Sequence, residues 1–146
     1  MVRAIVSVVV GYVAMFAAIF LAFSGLYLIL GQDLSFQPGR YEPSMLWTVV
    51  SFVLGVGAAV LGGAVCARIA RTAKPPKVLA GVVLVIGVLS AIPVLMAAET
   101  PAEARTGEVG NLDAMTKAKQ PAWVALANPF VGLVGVLIGA RLRRTR

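Results

Sequence analysis

Four long apolar runs dominate the chain, and short polar stretches separate them. They cover Ala4 to Leu30, Met45 to about Ala67, Val78 to Ala98 and about Ala122 to Ala140, and none holds an Asp, Glu, Lys or Arg in its interior. A helix needs about 20 apolar residues to cross roughly 30 Å of hydrocarbon, and each run reaches or approaches that length. The apolar residues run on continuously instead of alternating, which sets aside the strands of a membrane barrel. The pattern predicts an all-α polytopic membrane protein, with four transmembrane helices in one antiparallel bundle over residues 1–146. The loops on one side of this bundle are 31–44 and 99–121. Arg3 and the triplet Ala22-Phe23-Ser24 give the first run some likeness to a signal peptide. Its length exceeds the 7–15 apolar residues of a signal core, so it reads as an uncleaved anchor.

Within the runs, small residues mark the expected helix contacts. Lipid is as apolar as leucine, so transmembrane helices associate by close van der Waals approach, which small side chains permit. Ser51, Gly55, Ala59, Gly63 and Ala67 recur every four residues in the second run; Gly135 and Gly139 have the same spacing in the fourth. Gly55, Ala59, Gly63, Gly135 and Gly139 are therefore the expected packing positions. The first run has two stripes. Ser7, Gly11, Ala14, Ala18, Ala22 and Gly25 are small, whereas Tyr12, Phe16, Phe20, Phe23 and Tyr27 are aromatic. At 3.6 residues per turn the stripes lie roughly 160° apart. The small stripe should face the bundle and the aromatic stripe should face away. That aromatic face meets lipid, or it docks another membrane subunit or a flat lipophilic molecule.

Charge orients the bundle. Arg3, the segment with Arg68, Arg71, Lys74 and Lys77, and the terminal Arg141, Arg143, Arg144 and Arg146 supply nine basic residues and no acidic one. The loops on the opposite side carry four basic and six acidic residues. Basic residues stay on the cytoplasmic side, so both termini are expected there. Topology thus accounts for the net charge of +7, and no nucleic-acid partner is expected. Arg68, Arg71, Arg141, Arg143 and Arg144 are the candidates for holding anionic lipid headgroups, because they extend two helices into the interface.

Turn and cap signals fill in the connections. Pro38-Gly39 and Pro43 predict an irregular first loop. Pro75-Pro76 should stop the second helix and start the third. Thr100-Pro101-Ala102-Glu103 matches a capping box, and Asn111 could cap a short helix running toward Lys119. Pro93 should kink the third helix, and Asn128-Pro129 should kink the fourth or open a small polar pocket there. Trp47 and Trp123 fall at helix ends, as in an interfacial aromatic belt.

Composition and the missing residue types narrow the function. The chain is 60% hydrophobic and 13% charged. Soluble domains are about 45–50% apolar and about 25% charged, so a soluble enzyme is excluded. There is no histidine, and the single Cys66 can form neither an internal disulfide nor a CxxC couple. No carboxylate sits inside a span, which argues against proton-coupled export. No catalytic residue, metal ligand or cofactor site is nominated.

Gly62-Gly63, Ala67-Arg68-Ile69-Ala70-Arg71, Pro121-Ala122-Trp123, Asn128-Pro129 and Gly139-Ala140-Arg141-Leu142-Arg143 together resemble a loose group of small uncharacterised four-helix bacterial membrane proteins. The resemblance covers about the last two-thirds of the chain. Many of that group carry a histidine where this chain has Gln120. It implies a bacterial inner membrane and supplies no activity. The expected role is non-catalytic: association in the bilayer, as an accessory or stabilising subunit or by self-association. The alternative is a small self-associating transporter or channel for a neutral or lipidic solute.

Overall fold

The computed structural model describes residues 2–97, 104 and 110–144, the side chains of Met115 and Arg144 apart. Its helices are α1 (Val2–Ser35), α2 (Met45–Ala70), α3 (Lys74–Ala97), α4 (Asn111–Lys117) and α5 (Ala122–Arg144). All but α4 are long and apolar enough to cross a membrane. The chain is an all-α, multi-pass membrane protein. The capping box at Thr100 to Glu103 lies outside the described residues.

Local chemistry sets the helix ends. Gly31 adopts φ 67° and ψ −179°, so the straight part of α1 stops at Leu30 and one further turn follows the bend. Only glycine reaches that backbone conformation without strain. The loop then closes tightly. The Arg40 N–H donates to the Gln37 carbonyl at 3.2 Å across Pro38-Gly39, and Gly39 has φ 69°. That is the type II turn, with proline first and glycine second. Ser44 caps α2 by accepting from the Trp47 N–H at 3.1 Å, and its hydroxyl donates to the Leu34 carbonyl. At the other end Arg71, with φ 58°, donates its N–H to the Ala67 carbonyl. α2 therefore stops at Ala70, ahead of the prolines. Pro75 and Pro76 occupy the first turn of α3, where a missing N–H costs nothing.

α2 is the central element. It packs against α1 on one side and α5 on the other; α3 packs on α5, and α1 and α5 do not meet. The α2–α5 seam is closed by glycine. A Cβ placed on Gly63 would collide with the Val136 backbone, and one on Gly139 would collide with the Val60 carbonyl. One on Gly135 would stand 2.6 Å from the Ala59 Cβ. Gly11 brings α1 onto Gly62 and Cys66 in the same way, and Gly87 receives Pro129 where α3 meets α5. Ala59, Cys66, Leu79 and Val136 form the sealed core, and it lies toward the end that carries the basic residues.

Gly55 departs from expectation. A Cβ there would meet nothing within 4 Å. The four-residue period carries the small stripe past the point where α2 has a close neighbour, because α1 and α5 stand apart toward the loop end. Gly63→Leu and Gly139→Leu should each lower stability by about 3 kcal/mol or more, through overpacking against backbone. Gly55→Leu should instead match or exceed wild type, since leucine is about 1 kcal/mol better than glycine in a helix. Thermal unfolding in detergent checks the contrast, and equal losses at all three positions would contradict it.

Candidate functional site

The separation of α1 from α5 leaves a cleft of about 470 Å³ in the loop half of the bundle. Its floor is Met15, Ala59, Val83 and Gly132. Phe20 and Phe23 come from α1, Ser51 and Gly55 from α2, and Asn128 and Val131 from α5. Phe36, Ala114 and Pro121 close the top. From the level of Met15 to that of Tyr27 the cleft runs about 18 Å, at 1.5 Å per helical residue. Phe20 and Asn128 both line it and both remain exposed, so it is open sideways between α1 and α5. Among the described residues no Asp, Glu, Lys or Arg lines it.

Aromatic rings build the upper wall. Phe23 and Tyr27 meet the Trp47 ring edge-on, with centroids 5.8 and 6.2 Å away. Phe36 continues the ladder to Tyr27 and Tyr41, at 6.3 and 5.9 Å. Such edge-to-face pairs are each worth about 0.5–1.5 kcal/mol beyond burial. Lys117 places its ammonium 5.6 Å from the centre of the Tyr41 ring, tying α4 to the first loop. The Lys119 N–H donates to the Tyr41 carbonyl at 2.9 Å, which adds a second tie. Phe52, which also lines the cleft, stacks on Trp123 at 5.8 Å.

The expected outward aromatic stripe of α1 is therefore corrected. Phe16 faces outward, 62% exposed. Tyr12 packs beside the core, Phe20 and Phe23 turn to the cleft, and Tyr27 is only 7% exposed. In the small stripe, Ser7 and Gly11 are buried as expected, but Gly25 has nothing within 4 Å of its Cβ position. The bend at Gly31 causes the change: it folds Phe36 and the first loop back over α1, which gives its outer rings a protein partner.

Polar groups collect at the loop end of the cleft. Thr48 donates to the Ser44 carbonyl at 2.9 Å. Asn111 does not cap α4, whose N-cap is Gly110. Its amide nitrogen reaches across to the Ser24 hydroxyl at 3.3 Å. The Asn111 Oδ1 and the Ser51 Oγ are buried with no hydrogen-bond partner among the described residues. Asn128 lines the cleft lower down, while Pro129 is buried against Gly87. Sequence reasoning assigned Ser51 to packing and Asn111 to capping. Their one visible signal was that Thr48 and Ser51 stand one turn apart at the same end of an otherwise apolar helix.

At the basic end Arg68, Arg71, Arg141 and Arg143 are exposed, and the Arg144 side chain lies outside the described atoms. The Arg3 Nε donates to the Ile69 carbonyl at 2.7 Å. A groove of about 510 Å³ brings Arg141 together with Lys77 above Val134, Leu137 and Ile138; Arg68 and Arg71 do not line it. Among the described residues no cluster of His, Cys, Asp or Glu could hold a metal ion.

Comparison with protein-family models, curated proteins and solved structures finds no match to the chain.

The accessible cleft and the sealed core differ in reactivity. Cys66, fully buried, should resist maleimide in the folded protein. Gly55→Cys should label readily, and mass spectrometry counts the adducts. Labelling of wild type as fast as the variant would contradict the sealed core.

Proposed function

We propose that the chain is a non-catalytic protein of the bacterial inner membrane that acts by association, with the cleft as the surface that receives a lipophilic chain from the adjoining leaflet. In a larger assembly this makes it an accessory or stabilising subunit. The observation that carries the reading is the apolar cleft, open sideways between α1 and α5. An apolar pocket of this size with a few convergent polar groups is the usual form of a small-molecule site. Its apolar lining and sideways opening suit a lipid chain, and protein partners would meet outer faces such as that of Phe16.

Asn128 supports a second reading, transport of a neutral or lipidic solute. That role requires the basic half, closed by Leu79 and Val136, to open as well. At the basic end anionic headgroups are drawn by about 1 kcal/mol per basic residue, and the Lys77–Arg141 groove offers both charge and an apolar wall. Native mass spectrometry should therefore show retained phosphatidylglycerol lost in Lys77→Gln, Arg141→Gln protein and kept in Arg68→Gln, Arg71→Gln protein. The reverse order would move the site to the Arg68 side.

The central reading has a fluorescent reporter. Trp47 lines the cleft and Trp123 does not, so Trp123→Phe protein reports the cleft alone. Brominated monoacylglycerol added to phosphatidylcholine nanodiscs should quench Trp47 saturably. Gly55→Leu, which fills the cleft, should leave only the shallow linear quenching of bulk lipid. Identical quenching curves with and without Gly55→Leu would remove the reading.

A further inference from the structure

Depth along the cleft sorts its chemistry. Met15, Ala59 and Val83 form the floor, near the middle of the membrane-spanning length, and they offer no polar atom on their side chains. Ser51 lies one turn below Trp47, whose ring meets Phe23 and Tyr27. Asn111 bonds to Ser24, which stands between those two residues in α1. The orphaned Ser51 Oγ and Asn111 Oδ1 thus lie within about one helical turn of each other, at the end of the cleft nearest the loops.

Two buried, unpartnered polar atoms at one end of an apolar cleft are costly as they stand. A buried polar atom left without a partner keeps its full desolvation cost, so native structures rarely leave them open. A ligand that supplied the missing partners would recover that cost. Ser51 can donate or accept, and an amide presents oxygen or nitrogen according to its orientation. A hydroxyl, which both donates and accepts, answers every one of these cases. A carboxylate or ammonium does not fit, because among the described residues no opposite charge lines the cleft and an unpaired buried charge is strongly unfavourable.

We infer that the cleft binds an uncharged, single-chain amphiphile with a hydroxyl-bearing head, drawn from the leaflet beside the loops. Its head pairs with Ser51 and Asn111, and its chain descends past Phe20 and Gly55 to Met15 and Val83. The polarity of the cleft matches the way such a molecule already lies in a leaflet, head at the interface and tail toward the centre. It can enter sideways between Phe20 and Asn128 without turning over. The inference rests on the reading of the cleft as a lipophile site and adds the chemistry of the head.

The test uses Trp123→Phe protein in phosphatidylcholine nanodiscs and three probes with the same brominated chain: a monoacylglycerol, its fatty-acid methyl ester and the free fatty acid at pH 8. The monoacylglycerol should bind about five- to tenfold more tightly than the ester, the effect of about one recovered hydrogen bond. The ionised acid should bind more weakly still. Ser51→Ala should remove most of the monoacylglycerol's advantage while leaving ester binding unchanged. Asn111→Ala should do the same, and Ser24→Ala, which breaks the same interhelical bond but keeps the Asn111 oxygen, should not. Equal binding of monoacylglycerol and ester, both still blocked by Gly55→Leu, would overturn the assignment of the head and leave the cleft as a chain site. Absence of saturable quenching by every probe would overturn both. Thermal unfolding of each variant separates a lost ligand from a lost fold.

Discussion

Everything else in this molecule depends on how closely α2 can approach α5. Lipid tails give apolar side chains no reason to prefer protein, so the seam must be held by packing density. Glycine supplies it at Gly63, Gly135 and Gly139, where backbone meets backbone or a bare methyl group. The same device, through Gly11 and Gly62, seats α1 on the opposite side of α2. With both neighbours fixed at the basic half, α1 and α5 stand on opposite sides of α2 and do not touch. The cleft is the geometric consequence: tight at one end, open at the other.

The loop end is stabilised by different means. There Gly25 and Gly55 find no close neighbour, and aromatic edges and hydrogen bonds take over. The Gly31 bend, the type II turn at Pro38-Gly39 and the Ser44 cap fold the first loop back so that Phe36 and Tyr41 reach the rings of Tyr27 and Trp47. Rings of this size roof a cavity without filling it. The molecule therefore combines a sealed half, rich in glycine and alanine, with a half whose walls are aromatic and whose interior is available.

Much of this was legible in the sequence. Apolar run length gave the four spans, because a helix in lipid must satisfy its own backbone over the full hydrocarbon thickness. The small-residue period marks Ala59, Gly63, Gly135 and Gly139, and these positions lie close against neighbouring helices. It failed at Gly55 because periodicity describes one helix and says nothing about where its neighbours diverge. The stripes of α1 failed in the same way at their outer end: Tyr27 turned inward because the loop that follows α1 folds back over it. Asn111 has the right residue type for a cap, but a partner on α1, 87 residues away, took its side chain. Cavities arise from three elements at once, and no single-helix pattern encodes them.

The central claim is that the seam between α2 and α5 is closed while α1 and α5 stand apart. Cysteine pairs in a Cys66→Ala background test it directly. A disulfide needs Cβ atoms about 3.5–4.5 Å apart. The Cβ positions at Ala59 and Gly135 stand 2.6 Å apart, so a parting of about 1 Å lets Ala59→Cys with Gly135→Cys cross-link rapidly under mild oxidation in membranes. Phe20→Cys with Asn128→Cys, on helices that do not meet, should remain reduced. Failure of the first pair, or efficient cross-linking of the second, would contradict the account.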